Sequence, residues 1–187
     1  MPNYMFIRIK KRKFSTGTKK YAYLVKSKYY KKGSRQKVVK YLGKVHHLKK
    51  LKAKKKKIIG KTKNSEEFII TLIRRELRNF GFRGKEALCF IHPEGFRINL
   101  IDQTVSDDQQ EITLALNYGI LCNFTLKELF DELKSSKDDI TKTKNLGKKL
   151  IAAGITVKKP EFVTLYNLIR AKSNDEQSQA MPGNARQ

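Results

Sequence analysis

The chain has 187 residues, 39% of them hydrophobic, and carries 42 Lys and Arg against 17 Asp and Glu, a formal net charge of +25. No stretch approaches the roughly 18 apolar residues of a membrane span, and the N-terminus alternates and then turns basic, unlike the apolar segment of a secretion signal. Export and membrane insertion are not expected, and ten Phe with eight Tyr suffice for a core, which disfavours wholesale disorder.

The charge is segregated. The first 63 residues hold 24 Lys and Arg and no acid; Glu66 is the first acid, and the rest carries 18 basic against 17 acidic residues. Interspersed signs would serve solubility, whereas a one-sign field repels itself and calls for a polyanion. Nucleic acid answers that best, because many Lys and Arg release the phosphate counterions. Anionic lipid is the rival, but a surface-lying segment needs bulky apolar anchors along one face, and the eight Phe and Tyr of this region follow strand spacing instead. A solvated basic tail would lack such aromatics.

In chain order, Tyr4 to Lys10 alternates, with Met5, Ile7 and Ile9 on one face and Tyr4, Phe6, Arg8 and Lys10 on the other. Ser15 to Thr18 is turn chemistry, and Tyr21 to Tyr29 alternates again. Lys32-Gly33-Ser34 reverses the chain, and Lys37 to Leu42 forms a third strand closed by Gly43. Period 2 with short connections predicts a three-stranded antiparallel meander over residues 1–44. So small a sheet needs backing, from the next helix or a partner. Half of Tyr21, Tyr23, Tyr29 and Tyr41 are expected in the core and the others on the surface.

Tyr21-x-Tyr23-Leu24-Val25-x-Ser27, then Gly33, Arg35-Gln36-Lys37 and Tyr41-Leu42-Gly43-Lys44 resemble the N-terminal strand module of IS4/IS1634-type insertion-sequence transposases. The likeness covers about residues 4–44 and implies a DNA-contacting front end. In that family the module precedes an RNase H-like catalytic domain. The sequence after Glu66 is too short for it, and its acids do not follow the strand pattern it needs, so transposition chemistry is not carried over.

Residues 45–63 read as a Lys-rich helical connector. Val45, Leu48 and Leu51 recur at i, i+3, and Lys49, Lys50, Lys52 and Lys54 to Lys57 surround that stripe up to Gly60. Its expected role is a phosphate clamp, with a localisation-type basic tract as the alternative. His46 and His47 are adjacent and would point to different sides of a helix, which does not suit metal ligation.

Residues 64–172 form an α+β domain. Asn64 and Glu67 make a capping box ahead of the stripe Ile69, Leu72, Ile73, Leu77 and Phe80. Ala87 to Ile91 and Phe96 to Ile101 flank His92-Pro93-Glu94-Gly95 as a β-hairpin, with His92 a turn residue. Ile112 to Leu121 reads as a helix, with a strand as the less favoured assignment. Thr125 with Glu128 caps a helix carrying Leu126, Leu129, Phe130 and Leu133, and after a polar loop a helix from Ile140 ends with Gly154 at its C′ position. Pro160 opens a last helix with Phe162, Leu165, Tyr166 and Ile169 inward, and residues 173–187 read as a polar, flexible tail.

A Leu-rich helix followed by one bearing Thr, Lys and Asn and closing in Leu150-x-x-Ala153-Gly154-Ile155 is similar to a helix-turn-helix over residues 125–155. That resemblance implies base or backbone contact from Lys142, Lys144, Asn145, Lys148 and Lys149. An ordinary packed helical domain or a protein-docking surface is the alternative.

The chain offers no phosphate-binding Gly loop, no Gly-x-Ser-x-Gly and no Cys/His pair in catalytic context. Cys89 and Cys122 are read as reduced core residues, and a two-metal nuclease at Glu86, Asp102 and Glu111 is the least favoured reading. The expected protein is an α+β, non-enzymatic, cytoplasmic or nucleoid-associated nucleic-acid binder, DNA ahead of RNA, without cofactor or metal. Its contacts are expected at Arg8, Lys10, Arg12, Tyr23, Lys26, Lys28, Arg35, Lys37, Lys40, Lys49, Lys50, Lys54, Lys55, Lys56 and Lys57, besides the five helix residues above. The alternatives are an RNA-binding or ribosome-associated protein, and a transposon-derived accessory factor acting by protein contacts.

Overall fold

A computed structural model describes residues 4–30, 33–51, 62, 64–86, 88–108 and 110–179. Three strands, β1 (Tyr4–Phe14), β2 (Gly17–Tyr30) and β3 (Gly33–His47), form the expected antiparallel meander. They do not close on themselves. Further along, β8 (Ile112–Leu116) pairs in parallel with the end of β3, Lys44 facing Ile112 and His47 facing Ala115, and β9 (Gly119–Leu121) pairs with β8. The result is a five-stranded sheet in the order β1-β2-β3-β8-β9.

Two predicted elements change here. The chain does not turn helical at Val45: β3 runs on to His47 and residues 48–51 have no regular secondary structure. Residues 54–57 of that connector lie outside the described residues. The apolar stretch from Ile112 to Leu121 is a hairpin rather than a helix, turned at Asn117, whose φ is +49°.

What carries β3 past Gly43 is a pair of register shifts. Tyr23 faces Tyr41 while Ala22 faces Gly43, so Leu42 is an extra residue; Leu24 faces Lys40 while Val25 faces Val38, so Val39 is another. Such bulges bend and twist a strand. Leu42 turns into the core, and its carbonyl accepts from the buried Thr113 hydroxyl at 2.5 Å. Gly43 has φ +101°, and a Cβ there would lie 2.5 Å from the Glu111 carbonyl oxygen, so only glycine lets the two strands meet.

A second antiparallel sheet, β4 (Arg83–Glu86), β5 (Cys89–Ile91), β6 (Arg97–Asn99) and β7 (Thr104–Ser106), contains the predicted hairpin as β5–β6. Its core partners are α1 (Ser65–Asn79), α2 (Asn123–Lys134), α3 (Asp139–Ala152) and α4 (Lys159–Gln179). As predicted, Asn64 caps α1 by accepting from the Glu67 N–H at 2.8 Å, and Ile69, Leu72, Ile73, Leu77 and Phe80 are buried. The cap of α2 lies three residues before the expected Thr125: Cys122 is its N-cap, and Thr125 accepts from the Cys122 N–H at 3.0 Å. Gly154 takes the left-handed position after α3 (φ +81°) as expected. On α4, Leu165 and Ile169 are buried and Phe162 lies over Gly147; the helix runs on to Gln179, beyond the start of the predicted tail. No helix among the described residues is long and apolar enough to cross a membrane. The fold is α+β.

Candidate nucleic-acid interface

The register sorts the side chains of the meander onto two faces. Arg8 opposes Tyr23, Lys10 opposes Tyr21, and Arg12 opposes Lys19, so these share one face with Phe14 and, through its pairing with Tyr23, Tyr41. Opposite partners in an antiparallel ladder lie on the same side of the sheet. The other face carries Ile7, Ala22, Leu24, Leu42 and Val45, which form a small core with Ile120, Cys122 and Phe124. The sheet is thus backed by β9 and the start of α2.

On the first face the rings form a contiguous cluster. Phe14 and Tyr21 centroids are 6.5 Å apart, Tyr21 and Tyr41 6.3 Å, and Tyr23 and Tyr41 5.5 Å. Cations lie on these rings at diagonal positions: Lys10 Nζ 5.2 Å from the Tyr23 centroid, Arg12 5.8 Å from that of Tyr21, and Lys19 Nζ 5.3 Å from that of Phe14. The Arg12 guanidinium also donates to the Tyr23 hydroxyl at 3.5 Å, and Arg8 donates to Gln36 Oε1 at 2.8 Å. Desolvation, with Tyr21 and Tyr23 alongside, raises the Tyr41 phenol above its ordinary value despite Arg12. None of Tyr21, Tyr23, Tyr29 or Tyr41 enters the core, contrary to the expected half; Tyr41 is 46% and Tyr29 74% exposed.

Of the predicted strand contacts, Arg8, Lys10, Arg12 and Tyr23 come together on this face. Lys26, Lys28, Arg35, Lys37 and Lys40 project from the opposite one, where Lys26 faces Lys37 and Lys28 faces Arg35 across β2 and β3. Lys40 makes a 3.6 Å ion pair with Glu111. Lys49 is exposed, but Lys50 serves the body of the protein: its ammonium donates to the buried Glu76 carboxylate at 2.7 Å and to Asn117 Oδ1 at 3.0 Å. Burial pushes the Glu76 carboxyl up, yet the hydrogen bonds from Lys50 and Asn117 and the charges of Lys50 and Arg75 hold it below the usual value.

Helix α3 tells a similar story. Asn145 donates to Glu132 at 3.0 Å, Lys149 pairs with Glu128 at 2.8 Å, and Lys142 donates to the Ser135 carbonyl at 2.8 Å. These three residues fasten α3 to α2 and the loop between them. Lys144 and Lys148 are exposed.

Phe14 and Lys19 were missed by sequence reasoning, and Tyr21 and Tyr41 were left undecided between surface and core. Period 2 puts Phe14 and Lys19 in line with Arg12 and Tyr21, but only the β1–β2 register shows that they meet. No protein-family model, curated protein or solved structure matches this chain.

Proposed function

We propose that the protein binds nucleic acid, DNA in the first instance, through the aromatic and basic face of β1–β3, without catalysing a reaction on it. The observation that carries this is the cofacial set Lys10, Arg12, Lys19, Phe14, Tyr21, Tyr23 and Tyr41, held on one rigid sheet in a region without acids. Cations there meet phosphates, and rings supply the apolar contact that a purely charged tail lacks. A DNA-contacting front end is also what the transposase resemblance implies. RNA is the second reading, favoured by the exposure of the rings, since unpaired bases stack on aromatic side chains. Base reading by α3 is left out of the proposal, because Asn145, Lys149 and Lys142 are engaged within the helix pair.

The test is a salt titration of binding, followed by anisotropy of a labelled duplex. Affinity should fall steeply with salt, and Lys10→Gln and Arg12→Gln should each flatten the log–log slope by about 0.9. A protein that ignores DNA and RNA in dilute buffer, or whose slope neither substitution moves, is not a nucleic-acid binder of this kind.

A further inference from the structure

We propose that the β1–β3 face is a stacking platform for unpaired DNA bases. This rests on the nucleic-acid reading above and adds to it the form of the ligand.

A duplex keeps its base faces inside the stack and offers this sheet only phosphates and groove edges. The sheet offers more than charge. Phe14 and Tyr41, each 46% exposed, belong to a row of rings, Phe14–Tyr21–Tyr41–Tyr23, whose successive centroids are 6.5, 6.3 and 5.5 Å apart. Such a row suits about two or three consecutive bases, as on other sheet platforms.

The rings are accompanied by Lys10, Arg12 and Lys19 over Tyr23, Tyr21 and Phe14. A cation on an exposed ring is held weakly. An incoming base can displace it, and the released ammonium or guanidinium is then placed for the phosphate of the same nucleotide. Ring and charge thus act together on a flexible strand in a way they cannot on a closed duplex.

Several polar groups beside the rings that could read a ribose 2′-hydroxyl are already engaged. Gln36 Oε1 accepts from Arg8 at 2.8 Å, the Ser27 and Ser34 hydroxyls bond each other at 2.6 Å, and the Tyr23 hydroxyl accepts from Arg12. With those groups taken, and with DNA the first reading above, the ligand we assign is single-stranded DNA.

The experiment uses the full chain at low salt, comparing a labelled oligo-dT with a duplex of equal length. The double variant Phe14→Val/Tyr41→Val should bind oligo-dT about tenfold or more weakly, the loss expected for one or more base–ring stacks. Duplex affinity should fall by several-fold less than oligo-dT affinity, since a duplex keeps the Lys and Arg contacts and offers the rings no base face. Tyr41→Phe should bind like the parent, and Tyr41→Val alone gives the same comparison if the double variant folds poorly. Eight Tyr and no Trp make intrinsic emission a direct readout, quenched by oligo-dT in the parent and less so in Tyr41→Val. Equal losses on both ligands, or none, overturn the platform while duplex binding keeps the broader reading intact. A ribo-oligomer held tenfold tighter than oligo-dT overturns the assignment to DNA. Failure to bind either ligand removes the nucleic-acid reading itself.

Discussion

Replacing Glu132 by Gln is predicted to cost about 2 kcal/mol of stability and to leave nucleic-acid affinity unchanged. Glu132 lies on α2, 5% exposed, and accepts from Lys137 Nζ at 2.8 and 2.9 Å and from Asn145 at 3.0 Å, with Lys149 at 3.7 Å. Burial pushes its carboxyl up, but the bonds from Lys137 and Asn145 and the charges of Lys137 and Lys149 outweigh that and hold it below the ordinary value. Gln keeps the volume but turns one acceptor into a donor facing donors. A hydrogen bond to a charged group is worth roughly 1.5–3 kcal/mol. Lys137, with its side chain 45% exposed, can return to water, and Lys149 keeps Glu128, so the lower part of that range applies. For a chain of this size the loss corresponds to a fall in Tm of about 4–8 °C. Urea and thermal unfolding at neutral pH measure it. Because the folded carboxyl lies below its unfolded value of 4.5, the charge contributes fully above that pH and progressively less as pH falls below it. Parent and variant should therefore converge in acid. Equal stability at neutral pH would show that this carboxylate does not fasten α2 to α3. A loss of DNA affinity beyond the unfolded fraction would show that α3 takes part in binding.

Gly43→Ala should destabilise by at least about 2 kcal/mol, because its φ is +101° and the added carbon meets the backbone of Glu111 and Ile112; chemical denaturation measures this. Asn64→Ala should cost about 1 kcal/mol through loss of the cap on the Glu67 N–H, read as a lowered urea midpoint. Burial and then Lys44 lower the pKa of His46, so the unfolded chain takes up its proton first and stability falls as pH drops below about 6.5. His46→Gln should flatten that part of the stability–pH curve, and an unchanged curve would place the titrating group elsewhere.

Local pattern was enough for the strands of the meander, because alternation at Tyr4–Lys10 and Tyr21–Tyr29 and the turns at Ser15 and Gly33 are written within a few residues of each other. The stripe of α1 and the left-handed stop at Gly154 were legible for the same reason. The course of β3 was not. A glycine after an alternating run reads as an ending, and nothing near Gly43 announces that Glu111 and Ile112, far along the chain, are the surface it is shaped to meet. The hairpin at 112–121 was misread because a short apolar run satisfies a buried helix and a buried strand alike. Side-chain allegiance was the least legible feature. Lys50, Asn145 and Lys149 look like any other polar residues of a basic protein until Glu76, Glu128 and Glu132 are seen to face them.

That allegiance also explains how so lopsided a charge distribution can fold. The acids lie in the body, where Glu76, Glu128, Glu132 and Glu161 hold Lys50, Lys149, Lys137 and Arg75 in ion pairs across elements. Lys10 and Arg12 of β1 and Lys19 at the start of β2 instead sit on rings, a weak and solvent-exposed arrangement that leaves their charge available. Their mutual repulsion is borne by the opposite face of the same sheet, where Ala22, Leu24, Leu42 and Val45 are buried against Ile120, Cys122 and Phe124. Removing residues 1–63 would therefore do more than delete a charged arm. It would strip β8 of its parallel partner at Ile112 to Ala115 and uncover Thr113 and Cys122. For that reason the binding face is better probed by exposed substitutions such as Lys10→Gln and Tyr41→Val than by truncation, whose effect on affinity would mix lost contacts with a lost fold.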